Sequence, residues 1–121
     1  MENHVTIELA DGRTIEGRRI GRLANEKLAR EAKMTEGDVA STMRYVNLCL
    51  RYVILKVDDH DVKLVVEPGV GAKVMSESEF DALPLSDTDV LKIMEHAAPG
   101  QAIVAAGGVA PAPEGDAQQG N

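Results

Sequence analysis

Tryptophan is absent from this chain of 121 residues, and Tyr45, Tyr52 and Phe80 are its only aromatic residues. Any core must therefore be filled by aliphatic side chains. The same scarcity argues against a protein that stacks single-stranded nucleic acid, which takes several aromatic faces along a positive groove. Cysteine is nearly as scarce: Cys49 stands alone, which excludes an internal disulfide and a cysteine-based zinc site. Long apolar runs are missing too. None approaches the roughly 20 residues that cross a bilayer, and none follows a basic start, so the expectation is a soluble protein without a membrane partner. Basic residues run short in the second half. Residues 1–56 carry ten Lys/Arg and eight Asp/Glu, whereas residues 57–121 carry three and twelve, leaving the chain at −7.

With 44% hydrophobic residues, the chain has material for one small domain and no more. Residues 99–121 contain three Pro, five Gly and six Ala, with no Lys or Arg and no sustained apolar period. Such a composition buries too little to offset its ordering entropy. The expected organisation is one α+β domain over residues 1–98, an N-terminal β-hairpin packed on a small, mainly helical body, followed by a disordered, acidic C-terminal tail over 99–121.

Val5, Ile7 and Leu9 alternate with Thr6 and Glu8, and Ala10-Asp11-Gly12-Arg13 turns the chain into Thr14-Ile15-Glu16. Asp-Gly between alternating segments signals a hairpin, because Gly accepts the positive φ of tight turns. A helix with a thin apolar stripe is expected over 22–33. A stronger one follows. Thr35 and Asp38 approximate a capping box, and Val39, Met43, Val46, Leu50, Val53 and Val57 recur at steps of four and three, which keeps them on one face. Between Tyr45 and Val57 so little polar character remains that this helix must be central to the fold or partly reserved for a partner. It is expected to run to about Ile54, with a short hairpin after it turning at Asp58–Asp61 and a loop at Pro68-Gly69 and Gly71. Ser76 with Glu79, and Ser86 with Asp89, cap two further helices. The last carries Val90, Leu91, Ile93, Met94 and Ala97.

Candidate chemistry is thin. Asp58-Asp59-His60-Asp61 offers metal-ligand types, but adjacent residues of an extended chain point to opposite faces, and a solvated turn is the better reading. His4, His60 and His96 stand in no frame that sets two imidazoles on one helical face. Cys49 lies in the most apolar helix, a setting for a buried thiol rather than a nucleophile. Gly17-x-x-x-Gly21 and Gly69-x-Gly71 lack the Lys-Ser/Thr of a phosphate loop. Arg13, Arg18, Arg19 and Arg22 are interleaved with Asp11, Glu16 and Glu26, the pattern of a salt-paired or solvated surface rather than of a nucleic-acid contact. The expectation is therefore a non-enzymatic protein without catalytic residues, metal or cofactor, in which the apolar surplus of the helix over 38–54 serves the core, a partner's amphipathic helix, or both.

The order of elements, with "LADGRTIEGRR" in the strand pair, "VASTMRYVNLCLRYVILKV" in the apolar helix and "FDALPLSDTDVLKIMEHA" at the end, resembles the small tail assembly chaperones of long-tailed phages and prophages. In them an L-x-L-x-D segment opens the final helix, here Leu83-Pro84-Leu85-Ser86-Asp87. The resemblance covers residues 4–98. It implies a cytoplasmic protein of the bacterial host cell that coats the helical tape-measure protein during tail assembly and shields its apolar stripes; self-association is a separate option that the sequence leaves open. The apolar patterning then nominates Met43, Val46, Leu50 and Val53 as partner-binding residues, with Met94 added because Met adapts to variable surfaces. The alternative reading is a small acidic phage or mobile-element protein that inhibits a host nucleic-acid-binding protein through charge complementarity.

Overall fold

Val5 and Ile7 are buried while His4, Thr6 and Glu8 are exposed along the first strand, β1 (His4–Glu8), as alternation demands. The computed structural model describes residues 4–98, and the tail expected over 99–121 lies outside them. The turn after β1 is built from the residues that signalled it. Gly12 adopts a φ of 95°, and the Asp11 carboxylate accepts from the backbone N–H and the Nε of Arg13. The second strand, β2 (Thr14–Arg18), pairs antiparallel with β1, Ile7 opposite Ile15.

Two helices follow, α1 (Arg22–Glu31) and α2 (Val39–Val53). The N-cap of α2 is Asp38, whose side chain makes no capping bond, so the box read from Thr35 and Asp38 does not form. Ser41 takes over the work of tying down this end. Its buried hydroxyl accepts from the Thr35 N–H and lies 3.0 Å from the Asp38 carbonyl.

The helix passes without a loop into β3 (Ile54–Val57), where the β-branched residues that blurred the helix end continue as a strand beside β2. Gly17 opposes Ile54 at a shift of register, and a Cβ on Gly17 would overlap the Val53 carbonyl oxygen. Asp58, at a φ of 53°, turns the chain into the two-residue β4 (His60–Asp61), completing a four-stranded antiparallel sheet in the order β1-β2-β3-β4.

The expected hairpin turning at Asp58–Asp61 forms between β3 and β4, but its second arm is only two residues long. Residues Leu64–Glu67 form β5, which pairs with β6 (Ala72–Met75) in a separate two-stranded sheet. The chain ends in α3 (Glu77–Ala82) and α4 (Asp87–Ala97). Ser86 and Asp89 form the full reciprocal capping box. Ser76 accepts from the Glu79 N–H, but Glu79 reaches across to accept from the Lys63 N–H instead of closing a box of its own.

The core gathers where α2 lies against β2, β3 and β6, with α1 and α4 packed on the same helix. Ile7, Ile15, Leu28, Tyr45, Leu50, Ile54, Met75 and Ile93 are among its largest wholly buried side chains. The fold is α+β: among the described residues, an N-terminal hairpin in a four-stranded sheet, a second two-stranded sheet, and four helices with α2 at the centre of the packing.

Candidate protein-binding surface

Four of the five residues nominated for partner binding are core. Val46, Leu50, Val53 and Met94 are buried, three of them on the α2 stripe that meets the sheet, and so present no surface to a partner in this fold. Met43 alone of the five is exposed, at 54%. One turn earlier Val39 is exposed at 72%. The two are four residues apart and share a face, so the first two turns of α2 hold out an apolar pair that the other described residues leave uncovered.

The neighbouring stripe of the same helix is polar. Arg44 and Asn47 are exposed, and Arg51 lies one turn further on, buried. Together with Leu48 they form one wall of an open cleft of about 310 Å³, whose other walls include Glu67, Glu77, Phe80 and Asp81. Arg51 is fully engaged. Its Nε donates to the Met75 carbonyl at 2.8 Å, one terminal nitrogen lies 3.1 Å from Glu67 and the other 3.9 Å from Glu77. Arg44 donates from Nε to the Ala32 carbonyl and has no carboxylate within 4 Å among the described residues. A second cavity of about 220 Å³, lined by Val57, Val62, Met75, Ala82 and Leu83, has His60 and Glu79 at its rim, 3.3 Å apart.

The residues weighed for catalysis are held in structural roles. Cys49 is buried, and burial pushes its thiol up to about 12, only partly opposed by the adjacent Tyr45 hydroxyl. That hydroxyl bonds to the Asn25 side chain, and burial raises its pKa too. A thiol held protonated is a poor nucleophile. In the acidic turn, Asp58 accepts from the Thr14 N–H at 3.0 Å and its own N–H donates to the Thr14 carbonyl, which ties β2 to β3. His4 lies 3.5 Å from Glu16, and His96 is exposed in the last turn of α4, bonded to the Lys92 carbonyl. Among the described residues, no three His, Cys, Asp or Glu converge to hold a metal ion.

The arginine run is dispersed in the same way. Arg13 lies against Asp11 and Asp89. Arg18 stacks on the Tyr52 ring at 3.9 Å and donates to the Tyr52 and Lys73 carbonyls, its partial burial lowering its pKa. Arg19 and Arg22 are exposed.

The surface on this side of α2 presents, among the described residues, a short apolar pair, an exposed arginine and amide beside it, and an open cleft lined by carboxylates and arginines. Sequence periodicity located its helix and its residue Met43, but not Val39 as a free residue nor the cleft. Among the described residues no helix is long and apolar enough to cross a membrane. No protein-family model matches the chain, no curated protein matches its sequence and no solved structure matches it.

Proposed function

We propose that this protein is a non-enzymatic tail assembly chaperone of a long-tailed phage or prophage, acting in the cytoplasm of the bacterial host by capturing the helical tape-measure protein. The observation that carries the reading is the exposed Val39–Met43 pair on the opening turns of the most apolar helix. An amphipathic partner helix would place its apolar stripe on that pair and its basic residues toward Glu67, Glu77 and Asp81 in the cleft. The likeness of the sequence segments to tail chaperones supplies the identity of the partner.

The magnitudes suit transient shielding. Burying one Val and one Met contributes roughly 3–6 kcal/mol before the costs of association. One copy then binds weakly, several copies along one long helix hold it in solution, and tube subunits displace them as assembly proceeds.

The test is a pull-down of the longest helical protein encoded beside this one, repeated as ionic strength rises. Capture through an apolar pair persists into high salt, because screening acts on charges. Capture that collapses with salt would sink this reading and favour an acidic inhibitor of a nucleic-acid-binding protein.

A further inference from the structure

Among the described residues, the β5–β6 sheet leaves its β5 edge open. In the four-stranded sheet the edge strand β1 shows solvent the polar residues His4, Thr6 and Glu8, the usual protection of an edge. On β5 the exposed residues are Leu64 and Val66, at 40% and 63%. The Ser76 N–H donates to the Lys63 carbonyl at 2.9 Å, which makes Lys63 and Ser76 a hydrogen-bonded pair. Antiparallel pairs alternate. In the observed register Val65–Val74 and Glu67–Ala72 are then bonded pairs, whereas Leu64 and Val66 aim their N–H and C=O groups away from β6. Among the described residues β5 has no other strand beside it.

The sequence of this edge matches itself. Read antiparallel about Val65, Lys63-Leu64-Val65-Val66-Glu67 sets Lys63 opposite Glu67 of the second copy and Leu64 opposite Val66. The outward backbone groups of Leu64 then meet those of Val66, giving bonded pairs on both sides of the axis, and the four exposed aliphatic side chains close over one another on one face. Lys63 has no ion pair within 4 Å among the described residues, and Glu67 remains partly exposed beside Arg51. We propose that β5 is a dimerisation edge, on which a second copy of this chain adds its own β5 antiparallel about a twofold axis at Val65, forming a continuous four-stranded intermolecular sheet. The contact is small against the area of stable dimers, so the dimer is reversible and dependent on concentration.

The test is independent of any partner protein: sedimentation analysis of the full chain alone, from micromolar to millimolar concentration. A monomer–dimer equilibrium is expected. Val66→Pro deletes an outward N–H while sparing the bonds to β6, and should weaken the dimer tenfold or more with little change in the unfolding midpoint. Val66→Lys, which keeps every backbone donor and sets two like charges on the closed face, should weaken it as well and guards against misfolding of the proline variant. A monomer throughout, or a dimer indifferent to both substitutions, overturns the proposal, as does a complex larger than a dimer that survives them.

Discussion

Gly17 carries a packing constraint that no side chain can meet. A methyl group there would run into the Val53 backbone carbonyl at the junction of α2 and β3, where neither element has slack. Gly17→Ala should cost about 1–3 kcal/mol, toward the upper end because the obstacle is backbone rather than a movable side chain; urea unfolding followed by circular dichroism measures it. Cys49 makes a second prediction at this scale. Its folded pKa of about 12 lies above the ordinary value of 9, so the folded state favours the protonated thiol and the unfolded chain ionises first. That contribution to stability is complete below pH 9 and is lost as pH rises toward 12, with Tyr45 acting in the same direction. Urea midpoints measured across the alkaline range should fall, and less steeply in Cys49→Ala. The buried, inert character of Cys49 was readable from its apolar neighbours. The constraint on Gly17 was not, because it depends on a contact between residues far apart in the chain.

At the scale of elements, local signals were the legible ones. Ser86 and Asp89 meet within one turn, and their reciprocal bonds form as their spacing predicts. Thr35 and Asp38 have the same spacing and fail, because Ser41 satisfies that end from inside the helix. Ser86→Ala should therefore cost about 1 kcal/mol and Ser41→Ala about 0.5–1.5 kcal/mol, since it removes the hydrogen bonds that a buried hydroxyl makes to the Thr35 N–H and the Asp38 carbonyl. Thr35→Ala should change the thermal midpoint least of the three. Partner choice between strands was not legible. Val65 and Val66 continue the apolar run after the acidic turn, yet β5 leaves β3 for β6, whose sequence Ala-Lys-Val-Met behind Pro68 and Gly69 lacks the alternation that marks a strand. The α2 stripe shows the same limit in one element. Its periodicity identifies the face shared by Val39, Met43, Val46, Leu50 and Val53, but how far along that face the neighbours reach is decided by tertiary packing. They cover the last three and stop short of the first two.

For the whole molecule, the uneven charge of the two halves acquires a structural meaning. Arg13 from the first half meets Asp89 from the second, Arg51 meets Glu67 and Glu77, and Lys56 meets Asp61. The halves interlock, and the cleft beside α2 forms where they join. Along that seam Glu67 and Glu77 are taken up by Arg51, while Arg44 and Asn47 stand exposed beside the Val39–Met43 pair. The central claim is that this pair is the capture site. Co-expression with the longest helical protein encoded nearby tests it directly, comparing the wild-type chain with the Val39→Glu/Met43→Glu double variant. Both positions are exposed, so the variant should fold with its unfolding midpoint little changed. The account predicts that the wild-type chain keeps the long protein soluble and co-purifies with it, whereas the folded double variant leaves it in the pellet. A double variant that holds the long protein in solution as well as the wild type does would contradict the account.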